Sequence, residues 1–498
     1  MSHPTTDPAP QDAYAHEQEG FHKSLSGRQV QMIAIGSAIG TGLFLGAGGR
    51  LATAGPSLFL LYALCGFFGY LMLRSLGELV LHRPSSGSFV SYAREFYGEK
   101  AAYASGWLYW MFWSFTAVAD ATALALYFRW FSRYMPLEWI AAIPQWAIAF
   151  AVVILVVSLN LVSVKVFGEM EFWFALIKIV AILALIVVGA VMALTHFTSP
   201  DGHTAQLANL WNDGGWFPNG AMGVVAGFQI AVFAFVGIEL VGTTAAEARD
   251  PRTTLPRAIN SVPVRILIFY VGSLLAILVV TPWRSINPEQ SPFVAMFALA
   301  GLAGAASVVN FVVLTSAMSS SNSGVFSTSR MMFGLSAEGS APGTFKGLNR
   351  VGVPVRALYL TAGILLLTIP VLYAGDSIIE AFTLITSVAS LLFVFVWSMI
   401  LISYIRYRMK FPERHAASEY KMPGGVVMCA VVLAFFAFVV WALSTDPQTA
   451  TGLVAVAAWL VVLGISWAFV RRTESHRQTF EWFKQEMAGS AEHERSPR

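Results

Sequence analysis

Apolar runs long enough to cross a bilayer alternate with short polar connections along nearly the whole chain. A spanning helix needs about 20 apolar residues, and the pattern supplies about twelve such runs. They cover residues 30–54, 57–81, 101–131, 145–164, 172–194, 221–246, 264–281, 303–335, 355–374, 378–407, 426–443 and 451–470. The third and tenth runs exceed what a membrane requires, which implies tilt or extension into water. Between runs, residues 89–97 follow Ser85-Ser86-Gly87-Ser88 and read as a short amphipathic helix with a serine cap. The aromatic, turn-rich stretch 210–218 reads as a surface anchor, with a lid as the alternative, and 291–303 as a short re-entrant helix.

Two of these runs are interrupted. The first contains Gly36-Ser37-Ala38-Ile39-Gly40-Thr41-Gly42. Each glycine weakens a helix by about 1 kcal/mol relative to alanine. In lipid, backbone groups freed by a break must find a partner or line a cavity. The sixth run contains Phe233-Ala234-Phe235-Val236-Gly237-Ile238-Glu239. Taken alone, either stretch also reads as close helix packing through small residues, and for the first that is the preferred reading. Together they lie five spans apart, so the second five-span unit enters the membrane from the opposite side. Paired broken helices in corresponding positions of inverted halves point to a transport site, where half-helix N–H groups meet an anion and unwound carbonyls a cation. The organisation expected is a polar tail at 1–24, five-span units at 25–195 and 221–408, two further spans at 424–472, and a polar tail at 473–498.

Composition sharpens the class. The 498 residues are 56% hydrophobic and 12% charged, with a mean hydropathy of +0.64, against roughly 25% charged in soluble domains. Lys and Arg cluster in alternate connections, after spans two, four, six, eight, ten and twelve, whereas 196–220, 375–377 and 444–450 carry none. Arg129 and Arg133 are the main exceptions. The positive-inside rule then places both termini in the cytoplasm. The polar N-terminus has no signal-peptide core. Cys65 and Cys429 suggest neither disulfide nor metal. With no Walker motif, metal-spaced cluster or nucleophile–base pair, the sequence offers no catalytic site, cofactor or nucleic-acid partner. A nutrient sensor would need a soluble signalling domain, which the pattern does not supply.

At the two breaks the chain resembles the amino acid–polyamine–organocation superfamily, in its bacterial amino acid permease branch, over about residues 25–472. Phe167-Gly168-Glu169-Met170-Glu171-Phe172-Trp173-Phe174-Ala175 and the span-six stretch look most like the D-serine/D-alanine/glycine carriers of that branch. Residues 81–96, opening with Leu81-His82-Arg83-Pro84-Ser85-Ser86-Gly87-Ser88, look like the asparagine permeases. The resemblance implies the leucine-transporter fold with a five-plus-five inverted repeat, in the plasma membrane. It also implies proton-coupled uptake of a small neutral amino acid by alternating access, with exchange as the alternative mechanism. By motif, residues 37–42 and 233–237 form the substrate site, namely Ser37, Ala38, Ile39, Gly40, Thr41, Gly42, Phe233, Ala234, Val236 and Gly237. Thr41 and Gly42 receive the carboxylate, and the carbonyls of Ala38, Phe233 and Val236 the ammonium. Lys178, in the fifth span, is the implied proton carrier, bridging span one carbonyls and hydroxyls of Ser319 or Ser320 in span eight.

Three acidic positions complete the expectations. Asp120 lies in mid-membrane, where an acid costs roughly 2.5–3.5 kcal/mol. It belongs either to the substrate or proton site or to a structural hydrogen bond. Glu239 follows the second break and either gates or satisfies freed backbone. Glu169 and Glu171 read as structural anions at the start of span five. Arg330 reads as an inner-gate or orientation charge. Oligomeric state is left open.

Overall fold

The computed structural model of the chain describes residues 26–36, 39–83, 85, 88–134, 138–162, 164–244, 250–288, 290–373, 378–474, 476–478 and 481. They form helices joined by loops, with no strand among them and one lone bridge between Thr198 and Thr204. Eight of the described helices are long and apolar enough to cross a membrane. Gln145–Asn160, Gly220–Phe233 and Val355–Val371 are shorter apolar helices. The expected tail at 1–24 and most of that at 473–498 lie outside the described residues.

The first expected span is three pieces: α1 (Gly27–Gly36), α2 (Thr41–Phe44) and α3 (Gly46–Ala54). There follow α4 (Ser57–His82), α5 (Phe89–Tyr97), α6 (Glu99–Tyr134), α7 (Glu138–Ala142), α8 (Gln145–Asn160) and α9 (Val164–Leu194). The sixth span divides into α10 (Gly220–Phe233) and α11 (Leu240–Thr244). A basic connection, α12 (Pro251–Asn260), leads through α13 (Val262–Arg265) and a π-helical turn at Ile266–Gly272 into α14 (Ser273–Val280). Beyond these lie α15 (Pro292–Leu299), α16 (Ala303–Ala337), α17 (Val355–Leu365), α18 (Thr368–Val371), α19 (Ile378–Lys410), α20 (Pro412–Ala417), α21 (Gly425–Thr445) and α22 (Pro447–Val470).

Three expectations change. Helix α9 starts at Val164 rather than near residue 172, because Val164 to Phe167 continue the helix ahead of the acids. Glu169 and Glu171 therefore lie within the helix, not at its N-terminus, and Lys178 sits about 21 Å along it. Ser88 occupies the cap position of α5, but its side chain makes no capping bond; Ser85 instead donates to Ser91 at 2.8 Å. The ninth span is split at Leu366–Leu367 into α17 and α18.

Burial shows which helices form the centre. The spanning window of α6 is 78% buried, whereas that of α22 is 11% buried. Helix α6 packs between α16 and α19, α9 packs on α1 and α16, and α10 packs on α3, α4, α19 and α21. Small residues let these helices close up: a methyl group on Gly36 would stand 2.7 Å from Cβ of Ala175. The two broken spans thus end inside a bundle, where lipid cannot reach their free backbone.

Candidate functional site

Helix α1 ends at Gly36, and Ile39 and Gly40 bend the chain before α2 opens at Thr41. Ser37 and Ala38 lie outside the described residues. Helix α10 ends at Phe233, six residues turn, and α11 starts at Leu240. Within that turn Gly237 has φ +97°, a conformation that an L side chain disfavours. The two breaks touch. A Cβ on Gly42 would stand 2.8 Å from Cα of Ala234 and 3.0 Å from the Phe233 ring.

Two tyrosines absorb carbonyls freed at the breaks. Tyr62 on α4 donates to the Gly42 carbonyl at 3.1 Å. Tyr270 donates to the Ala234 carbonyl at 2.9 Å; it is carried on the π-helical turn, a feature common at functional sites. Their rings lie 5.7 Å apart, and Tyr270 stacks on Phe235 at 4.6 Å. Ser316 on α16 donates to the Ile39 carbonyl at 2.9 Å. The Phe233 carbonyl accepts from the Val236 amide at 3.0 Å, so part of its capacity is already used within the turn. Phe233, Ala234 and Val236 are all buried.

Beside the first break stands Asp120, fully buried on α6. The Thr41 hydroxyl donates to its Oδ1 at 2.5 Å, and its Oδ2 has no hydrogen-bond partner. Ser320 on α16 lies against both Asp120 and Gly40. On the other side, the Lys178 ammonium donates to the Gly36 carbonyl at 2.8 Å and to Ser319 Oγ at 3.1 Å. The chain of bonds continues: Ser319 donates to Glu171 Oε2 at 2.6 Å, Asn322 to Glu171 Oε1 at 3.2 Å, and Asn160 to Asn322 Oδ1 at 2.8 Å. Every side chain in this chain is buried. A buried ammonium demands such compensation, since desolvation is otherwise prohibitive. The arrangement holds a cation against the last carbonyl of α1 and can release it only by changing partners across three helices.

Glu239 is used differently. Its Oε2 accepts from the Gly237 amide at 3.1 Å, closing the turn of the second break. Its Oε1 has no partner and lies near the indoles of Trp113 and Trp397. Arg330 sits 3.5 Å above the Phe326 ring, which stacks on Phe167 at 4.0 Å.

The structure therefore gathers Ile39, Gly40, Thr41, Gly42, Asp120, Ser320, Phe233 and Ala234 around the meeting of the breaks, and Lys178 and Ser319 around the end of α1. Sequence reasoning missed the parts played by Glu171, Asn322, Asn160, Tyr62 and Tyr270. One signal was present: Glu171 and Lys178 are seven residues apart, two turns along one stripe of a helix. No such signal marks the tyrosines, whose role depends on which backbone they reach. Among the described residues no group of His, Cys, Asp and Glu could hold a metal ion.

Comparison with known proteins covers nearly the whole chain. The sequence profile described as "Amino acid permease" matches residues 29–482. The chain is 51% identical to the D-serine/D-alanine/glycine transporter of Escherichia coli K12, over 92% of its own length and 96% of that protein's. It is 43% identical to the L-asparagine permease of the same organism, over 92% and 90% of the two chains. Against the amino-acid permease AapA of Bacillus subtilis it is 43% identical, over 90% and 94%.

Proposed function

Since this chain belongs to the amino acid permease family, we propose that it takes up small neutral amino acids, glycine, alanine and serine with D-forms included, in symport with a proton. The observation that carries this reading is the contact between the two helix breaks, with Asp120 on one flank and Lys178 on the other. A zwitterion presents both signs within a few ångströms. The amides of Thr41 and Gly42 at the start of α2 receive its carboxylate. Its ammonium meets the carbonyls of Ala38, Phe233 and Val236, together with Oδ2 of Asp120, which has no hydrogen-bond partner. The contact between Gly42 and Ala234 leaves little width, which favours short side chains. The basic loops face the cytoplasm, both termini with them, and the membrane is the plasma membrane.

Coupling rests on Lys178. Protonated, it ties α1 to α16 through the Gly36 carbonyl and Ser319. Neutral, it loses the charge that justifies those bonds, and α1 is released toward another access state. Glu239 holds the second break closed through the Gly237 amide and serves as a gate. Asparagine is the second substrate reading, favoured by the similarity to the L-asparagine permease; obligatory exchange is the second mechanism.

The test is uptake into proteoliposomes under an imposed pH gradient, without sodium, with L- and D-amino acids competing against labelled alanine. Glycine, alanine and serine are expected to compete best, and the pH gradient to drive accumulation. Stronger competition by asparagine, lysine or arginine overturns the substrate assignment. Accumulation indifferent to the pH gradient overturns the coupling.

A further inference from the structure

On the face opposite the basic loops, the far end of α6 borders a cleft of about 380 Å³, within the roughly 300–1,000 Å³ of small-molecule sites. Six of its lining residues carry the argument: Leu126, Tyr127, Arg129 and Trp130 on α6, Ser291 at the head of α15, and Asn310 on α16. Three of them bring a buried polar atom without a hydrogen-bond partner, Tyr127 Oη, Ser291 Oγ and Asn310 Oδ1. The residues are 2%, 4% and 0% exposed, a degree of burial at which polar atoms are almost always satisfied. Asn310 is fixed by its other amide atom, which donates to the Tyr127 carbonyl at 3.0 Å. The hydroxyls of Tyr127 and Ser291 lie near each other without meeting in a hydrogen bond. Two hydroxyls and one amide oxygen thus line the same wall, each with a lone pair open to accept a hydrogen bond.

The opposite edge of the cleft carries charge. At 3.6 residues per turn, Tyr127 and Arg129 point roughly 160° apart, with Leu126 and Trp130 between them. The exposed Arg129 guanidinium reaches Gln145 only at 3.5 Å. No acid is present among the described lining residues. The cleft therefore offers acceptors at one side, a cation at the other and apolar surface between. We propose that it is an outer waiting site for the transported amino acid: Tyr127, Ser291 and Asn310 take the ammonium, Arg129 takes the carboxylate, and Leu126 and Trp130 contact the side chain. Asp120 lies seven residues deeper on α6, about 10 Å away along the helix. This inference rests on the reading of the substrate as an amino acid.

Two measurements test it. The natural cysteines are both buried, so Ser132→Cys places a single reactive thiol at the cleft. In a Gly42→Val background, which blocks the central site, glycine is expected to slow labelling of that thiol by a membrane-impermeant methanethiosulfonate. Arg129→Gln and Tyr127→Phe are each expected to abolish the protection. In the otherwise natural chain, Arg129→Gln should raise the KM of uptake about ten-fold, as loss of a charge-assisted hydrogen bond does, with the maximal rate retained. Labelling indifferent to glycine, or an unchanged KM in both variants, means that the cleft holds water only and overturns the proposal. If the uptake panel selects another amino acid, that one replaces glycine as the probe. The substrate reading then fails while the cleft is still judged.

Discussion

At the residue scale, the proposed chemistry rests on two units, the Thr41–Asp120 pair and Lys178. Thr41 and Asp120 form one unit, because the 2.5 Å bond fixes the carboxylate and leaves its second oxygen free. Thr41→Val removes that donor, and a hydrogen bond to a charged group is worth about 1.5–3 kcal/mol. The expected result is at least a ten-fold loss of substrate affinity on purified protein, with insertion unaffected; unchanged binding would remove Asp120 from the substrate site. Lys178 is the second. Lys178→Met should abolish accumulation against a gradient, while substrate binding and downhill flux persist. Ser319 keeps its bond to Glu171, which also accepts from Asn322, while the Gly36 carbonyl loses its donor. The measurement is the steady-state accumulation ratio under an imposed pH gradient. A parental ratio in the variant transfers the coupling role to Asp120 or Glu239.

The elements are shaped by where helix geometry fails. Span one breaks after Gly36 and span six after Phe233, and the pieces meet at Gly42 and Ala234. Gly42→Val puts a branched side chain where even a Cβ stands 2.8 Å from backbone. Overpacking of this kind costs about 1–3 kcal/mol, enough to separate the breaks without unfolding a bundle. Transport should be lost in a protein that still elutes as a single species. Gly237→Ala acts by another route, forcing a left-handed residue at about 1–2 kcal/mol. Uptake is expected to fall while the Glu239 to Gly237 bond weakens. Parental uptake in both variants would mean that the breaks are packing devices alone.

Across the whole molecule, a second buried cluster ties the core to the basic face. Glu78 on α4 is fully buried and accepts from Tyr404 of α19 at 2.7 Å and from the Met422 amide at 3.1 Å. His415 Nδ1 of α20 lies 2.5 Å from its other oxygen. One turn earlier, Arg74 bonds to Asn260 at 2.7 Å and to the Lys421 carbonyl, and covers the Tyr420 ring at 3.9 Å. These contacts fasten α4, α12, α19 and the approach to α21 together. Glu78→Ala strands three polar partners in a buried site, and losing one member of such a set costs about 3–5 kcal/mol. Thermal unfolding in detergent should show a large drop for Glu78→Ala and a small one for Glu78→Gln, which keeps the acceptor oxygen. Equal effects would reduce the cluster to a surface contact.

The sequence by itself determined the class and most of the frame. Apolar run length marks a membrane chain because the bilayer sets that length, and glycines in spans one and six marked the breaks because helix propensity is local. With the family resemblance it placed Thr41, Asp120 and Lys178 in a candidate site, and set Lys178 toward Ser319 or Ser320. Only the tertiary structure paired Thr41 with Asp120 and Ser319 with Glu171, and gave Lys178 to Ser319 rather than Ser320. Those bonds join residues between 79 and 148 positions apart, and no local pattern encodes such a distance. The start of α9 was misjudged because hydropathy weighs the charges of Glu169 and Glu171 against a membrane span, while the helix itself continues through them. Tyr62 and Tyr270 escaped notice because a tyrosine in an apolar run looks like packing until the carbonyl it reaches is known. Burial in a bundle turned an unpaired carbonyl into a demand for a donor, and the fold, not the sequence, chose which side chain met it.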